Sequence, residues 1–115
     1  MPIFVVQKHA ASHLHYDFRL EHQGVLVSWA VPKEPPLEPG IRRLAIRVED
    51  HELSYAAFEG EIPEGRYGAG TVTIWDSGTY EPVLFDDEEI VADLHGRRLS
   101  GRYCLIKLKP TLRDD

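Results

Sequence analysis

The chain has 115 residues, 43 % of them hydrophobic, which suits one compact domain with a modest core. Its formal net charge is −6, with 13 Lys and Arg against 19 Asp and Glu, and this argues against a broad electrostatic grip on nucleic acid. A single cysteine, Cys104, excludes an internal disulfide and a thiolate-rich metal site. In the apolar run 103–108 it reads as a small buried hydrophobe. Residues 3–6 are too short for a signal-peptide core and no run approaches membrane-spanning length, so the expectation is a soluble, cytoplasmic protein. The charge is uneven: Asp86, Asp87, Glu88 and Glu89 form one acidic run, whereas Arg42, Arg43 and Arg47 make a local basic cluster.

Residues 3–7 are apolar and β-branched and are predicted as the first strand; residues 13–20 are predicted as the second. Glu21-His22-Gln23-Gly24 turns into a third strand over 24–31, giving a hairpin. Pro32, Pro35, Pro36 and Pro39-Gly40 make 31–41 a loop. Residues 42–48 alternate, with Leu44, Ile46 and Val48 against Arg43, Ala45 and Arg47, which predicts another strand that Glu49-Asp50-His51-Glu52 interrupts. Residues 54–58 read as extended again. Gly60, Gly65, Gly68 and Gly70 fit neither the dinucleotide fingerprint nor the P-loop, no Gly-Lys-Ser/Thr is present, and a strand (71–76) follows, so they read as turn and bulge residues. Asp76-Ser77-Gly78 predicts a hairpin into 79–81. Residues 86–95 are predicted as a helix: Asp86 or Asp87 caps it, Ile90, Val91 and Leu94 give an apolar stripe, and Gly96 stops it. The last strand is predicted over 102–108. Many short strands, Gly- and Pro-rich turns and one or two short helices give a mainly β fold, a small closed antiparallel β-barrel in a single domain, 1–115.

The stretch 7–20 carries the chemistry. In its second half Leu14, Tyr16, Phe18 and Leu20 share one parity, and His13, His15, Asp17 and Arg19 the other. A strand there has one apolar and one ionisable face. Residues i and i+2 lie roughly 6.5–7 Å apart along a strand, so His15 and Asp17 can converge on one ion. His9, six residues upstream, is close enough to fold back as a third ligand. Imidazole and carboxylate together suit a divalent transition metal, and Arg19 can hold an anion beside it. The competing reading is a polar, solvent-facing strand surface.

The string Gln7-Lys8-His9 … Leu14-His15-Tyr16-Asp17-Phe18-Arg19-Leu20-Glu21 resembles the opening signature of the 3′-phosphoesterase module of bacterial DNA ligase D. The resemblance continues through Ser28-Trp29-Ala30-Val31-Pro32-Lys33, Val48-Glu49-Asp50-His51, Phe58-Glu59-Gly60, Ile62-Pro63, Tyr67-Gly68-Ala69-Gly70 and Trp75-Asp76. It implies an eight-stranded β-barrel with a polar pocket and a divalent metal, usually manganese, with cobalt or another transition metal as substitutes. It implies trimming of DNA or RNA/DNA 3′ ends: a terminal ribonucleotide is removed first, then the remaining 3′-phosphate. By position, His9, His15 and Asp17 match metal ligands, Arg19, Arg43 and His51 match groups that engage the scissile phosphate, and Tyr55 matches a tyrosine of the same pocket. Family members often carry an N-terminal arm that serves the active site. This chain begins almost at its first strand, so 3′-phosphate removal is expected to be at least as efficient as ribonucleotide removal. A separate DNA ligase and polymerase are the expected partners.

The chemistry is coherent on its own terms. Phosphate-ester hydrolysis needs the phosphoryl oxygens neutralised and a water placed in line. Arginines keep their charge and can clamp phosphate oxygens, and an imidazole can donate to a phosphoryl or leaving oxygen. Two other classes compete: a non-haem iron oxygenase using His15, Asp17 and His51, and a non-catalytic DNA-end-binding module. His13, His22 and His95 read as exposed bystanders, and Trp29 and Trp75 as core or barrel wall.

Overall fold

Alternating apolar side chains build the first half of the molecule. In strands Ile3–Ala10 (β1), Leu14–His22 (β2) and Val25–Val31 (β3), one parity supplies Phe4 and Val6, then Tyr16, Phe18 and Leu20, then Val27, Trp29 and Val31, all buried in one cluster. The computed structural model describes residues 1–108. The other strands are Ile46–Glu52 (β4), Gly60–Ile62 (β5), Gly70–Phe85 (β6), Glu89–Gly96 (β7) and Ser100–Ile106 (β8), and the one short 3₁₀ helix described spans Leu53–Ala57. No described helix is long and apolar enough to cross a membrane.

All eight strands belong to one antiparallel sheet ordered β4-β3-β2-β1-β6-β7-β8, with β5 added on β6. Strand β6, 16 residues long, joins the two halves: it pairs with β1 and β5 early and with β7 late. Apolar side chains of β3 and β7 meet in the same cluster, so the sheet curls over its apolar face. The expected closure into a barrel is not observed. Among the described residues β4 and β8 do not pair, and they flank a cleft of about 1740 Å³. Residues 32–45 reach across this gap, where the Tyr103 hydroxyl of β8 donates to the Pro36 carbonyl at 2.7 Å.

Several local expectations are corrected. Residues 86–95 form a turn and strand β7, not a helix. Asp86 accepts the Glu88 and Glu89 N–H groups at 2.9 and 2.8 Å, so the capping residue closes a hairpin. Ile90, Ala92 and Leu94 are then buried with a period of two. Residues 76–78 do not turn, because β6 runs through them and Gly78 pairs with Gly96. Strand β4 begins only at Ile46 and includes 49–52, which were read as its interruption, and 53–57 are 3₁₀, not extended. Cys104 is exposed, since it takes the outward parity of β8 between Tyr103 and Leu105, which pack on the core. His22 is half-buried and stacks on Phe85 at 3.7 Å, whereas His13 and His95 are exposed as expected.

A buried carboxylate ties the two halves together. Val6 pairs with Asp76 but Gln7 with Ile74, so Trp75 is an extra residue in β6. Asp76 accepts three backbone N–H groups of the β7–β8 turn, from Arg97 at 3.0 Å, Arg98 at 3.1 Å and Leu99 at 2.8 Å. A Cβ on Gly96 would strike both the Asp76 carboxylate and the Phe4 ring, so only glycine lets the turn approach this closely. Asp76→Ala strands three donors and is expected to destabilise the fold by about 3 kcal/mol, read as a lower urea midpoint.

Tyr80 is buried and its hydroxyl donates to the Glu21 carbonyl at 2.6 Å; burial pushes its pKa from 10.0 up to about 12. A raised folded-state pKa favours the protonated phenol, so its contribution is complete below pH 10 and fades as the pH rises toward 12. Between those values urea unfolding should show wild type losing about 2 kcal/mol more than Tyr80→Phe.

Candidate functional site

The second parity of β1–β3 is also buried, but polar. Gln7, His9, Asp17, Arg19 and Ser28 lie on it, beside the apolar Val5 and Leu26. In the β1–β2 register His9 faces His15, Gln7 faces Asp17 and Val5 faces Arg19. Residues opposite one another in an antiparallel pair share a face. One donor atom from each of His9, His15 and Asp17 therefore comes within 4.8 Å of the other two. His9 Nδ1 is 3.6 Å from Asp17 Oδ2, and His15 Nε2 is 3.3 Å from Asp17 Oδ1.

The imidazoles are oriented from behind. His9 Nε2 donates to the Gly68 carbonyl at 2.7 Å, and His15 Nδ1 donates to the His13 carbonyl at 3.1 Å. Each ring then turns its other nitrogen toward the Asp17 carboxylate, where an imidazole offers a lone pair to a metal ion. Backbone carbonyls commonly orient metal-binding histidines in this way. Three acceptors converging on one point repel each other unless a cation lies between them, so the donor set fits a divalent transition metal. Gly68 has φ +77°, and an added Cβ would lie 3.4 Å from His9 Cε1. Glycine at this position lets its carbonyl reach the ring.

Arg19 adjoins this cluster and is 3 % exposed. Its Nε donates to Gln7 Oε1 at 2.7 Å and its Nη1 to Ser28 Oγ at 2.8 Å, while Nη2 lies 3.5 Å from Asp17 Oδ2. Burial pulls the guanidinium pKa below its ordinary value, opposed by Asp17 and Tyr55. The Tyr55 ring lies 4.9 Å from the Arg19 carbon. Burial pushes the Tyr55 phenol up and Arg19 opposes it, so the hydroxyl remains a donor at neutral pH.

His51 reaches the site through a bulge. Ser28 pairs with Val48, so simple alternation would bring Asp50 level with Leu26; one extra residue in β4 brings His51 there instead. That shift turns His51 onto the polar face, where its Nδ1 lies 3.1 Å from Arg19 Nη1. The Glu49 carbonyl is also 3.1 Å from Nδ1. A guanidinium only donates and a carbonyl only accepts, and the charge-assisted bond from Arg19 is the stronger. It places the imidazole proton on Nε2. Arg43 is not brought to this group: its Nε donates to the Glu34 carbonyl at 2.9 Å and its Nη1 to the Arg42 carbonyl at 3.4 Å. It precedes β4 and lines the cleft on the apolar side of the sheet.

A family model for the DNA ligase D 3′-phosphoesterase domain matches residues 7–107. The chain belongs to this family. It is 58 % identical over 108 residues to the multifunctional non-homologous end joining DNA repair protein LigD of Mycobacterium tuberculosis, covering 90 % of this chain and 14 % of that protein. LigD of Pseudomonas aeruginosa is 56 % identical over 110 residues, 90 % of this chain and 13 % of the relative. LigD of Mycolicibacterium smegmatis is 51 % identical over 117 residues, 92 % and 15 % respectively. The chain thus spans only a small part of the length of the curated relatives it matches.

In this phosphoesterase-family domain, sequence reasoning missed the residues that hold the site together. Gln7, fully buried, donates through Nε2 to the Tyr55 carbonyl at 2.8 Å and the Phe58 carbonyl at 3.2 Å while accepting from Arg19. Ser28 accepts from Arg19 and donates to the Leu26 carbonyl at 2.9 Å. Their signal was a polar residue ending one apolar run, Val5-Val6-Gln7, and interrupting another, Val27-Ser28-Trp29. Gln7→Leu keeps the volume but leaves Arg19 Nε and the Phe58 carbonyl without partners, and the Tyr55 carbonyl with the Phe58 N–H alone. A loss of about 2–4 kcal/mol is expected in urea unfolding, with Gln7→Glu retaining the acceptor for Arg19 and losing less.

Proposed function

We propose that this domain is a divalent-metal-dependent phosphoesterase that trims DNA 3′ ends during repair, removing 3′-phosphates and 3′-terminal ribonucleotides, with manganese as its metal. The observation that carries the reading is the convergence of His9, His15 and Asp17 donor atoms within 4.8 Å, beside the buried Arg19 guanidinium. A transition metal bound there supplies Lewis-acid neutralisation of a phosphoryl oxygen. Arg19 Nη2 adds a permanent positive charge at the same edge, positioned by Gln7 and Ser28 before substrate arrives. His51 Nε2–H and the Tyr55 hydroxyl supply donors for a phosphoryl oxygen or the leaving 3′-oxygen. At a terminal ribonucleotide, water attacks phosphorus and the bond to the departing nucleoside's 5′-oxygen breaks, that oxygen leaving with a proton and a 3′-phosphate remaining. At the 3′-phosphate, water attacks again, the bond to the 3′-oxygen breaks, and that oxygen leaves with a proton as the 3′-hydroxyl. A free 3′-hydroxyl is what polymerisation and sealing require, so the step precedes both in end joining.

The oxygenase reading is not favoured. His51 lies against Arg19 and is not one of the three clustered donors, and the chain belongs to a phosphoesterase family. Arg43 has no part in this scheme, because its described hydrogen bonds lie within its own segment.

Two tests bear on the proposal. His9→Ala, His15→Ala and Asp17→Ala should each abolish manganese-dependent phosphate release from a duplex with a recessed 3′-phosphate, and weaken manganese binding by calorimetry at least ~100-fold. Normal turnover at saturating manganese would remove that residue from the site. Chelation should stop the reaction; manganese or cobalt should restore it, and magnesium alone, which prefers oxygen ligands, should not. Full activity with magnesium would contradict the ligand set.

A further inference from the structure

Tyr67 is fully exposed, at 104 % relative accessibility, more than any other large hydrophobic residue described. The fold gives its ring no packing partner, while hydrogen bonds on either side of it shape the loop. Arg66 N–H donates to the Pro63 carbonyl at 3.3 Å and Ala69 N–H to the Arg66 carbonyl at 3.1 Å, making two consecutive turns. The residue after Tyr67 is Gly68, whose carbonyl is 2.7 Å from His9 Nε2. Successive Cα atoms are about 3.8 Å apart, so the backbone of Tyr67 lies next to a residue that touches the His9 ring. Between this loop and the β1–β2 turn runs a groove of about 470 Å³, within the range of small-ligand sites. Ala10, Ala11, Ser12 and Gly70 leave its walls without bulk, while Arg66 and Glu64 supply its charges.

We infer that this groove, with Tyr67 carried between two of its lining residues, Arg66 and Gly68, seats the terminal nucleoside of the strand being trimmed; the inference rests on the phosphoesterase reading and extends it to substrate recognition. The base stacks on the Tyr67 ring, and Arg66 attracts the next backbone phosphate. Glu64 keeps a negative group on the same wall, so the groove takes base and sugar and only the Arg66 side takes phosphate. Stacking on one aromatic ring is tolerant of base identity, as trimming of arbitrary ends requires. It also distinguishes a nucleic-acid end from a small phosphate ester.

The test uses an oligonucleotide ending in 2-aminopurine and a 3′-phosphate, titrated with the manganese-loaded protein. Wild type and Tyr67→Phe should quench the fluorophore on binding, and Tyr67→Ala should not. In turnover assays, deleting the terminal base and Tyr67→Ala should each raise KM about ten-fold, the scale of one base–aromatic stack, and together no further. Undiminished quenching by Tyr67→Ala, or losses that multiply, would overturn the subsite. A wild type that quenches but releases no phosphate would leave the stacking site supported and remove the phosphoesterase reading.

Discussion

The buried charge of Arg19 is the constraint on which the rest of the structure depends. An ion withdrawn from water loses several kcal/mol of solvation, and the surroundings must return it through paired charge and hydrogen bonds. Here each partner comes from a different element: Gln7 from β1, Asp17 from β2 itself, Ser28 from β3, His51 from β4 and the Tyr55 ring from the 3₁₀ helix. Satisfying one guanidinium therefore sets the relative placement of four strands and the segment that covers them. Gln7 extends the network by holding the Tyr55 and Phe58 carbonyls. Stability and chemistry draw on the same bonds.

This arrangement explains why strands β1–β3 bury both of their faces. One face packs aromatic and aliphatic side chains upon one another as the sheet curls, with Phe4 near Phe18 and Phe18 near Trp29. The other is buried by polar closure, with the 3₁₀ helix and the glycine-rich loop held down through their carbonyls, which accept from Gln7 and His9. Burial of the second face lowers the dielectric around Arg19 and strengthens its interaction with any anion that arrives.

How much of this could be read from the sequence depended on whether one period or two fitted the residues. The metal-binding candidates were legible because His15 and Asp17 share parity and a short hairpin returns His9 opposite His15. Strand β7 was misread because Ile90 and Leu94, four apart, satisfy both a helical stripe and strand alternation. The residue that decides is Ala92, which is buried at 2 % but too small to stand out in the sequence. Arg43 enters the candidate site only through the family resemblance; it precedes Ile46, where β4 begins, so strand alternation does not fix its facing. The open edges of the sheet were not legible at all, since closure depends on whether β4 and β8 meet, and no local pattern records that.

The bulge in β4 works as a parity switch. Between Val48, level with Ser28, and His51, level with Leu26, the strand spends one residue more than its partner. The facing of the imidazole is thus encoded by a count and not by the identity of residues 49 and 50. A single insertion or deletion between Val48 and His51 would turn the ring to the opposite surface. Length variation in this segment should survive only in steps of two, a kind of reading frame written into the sheet.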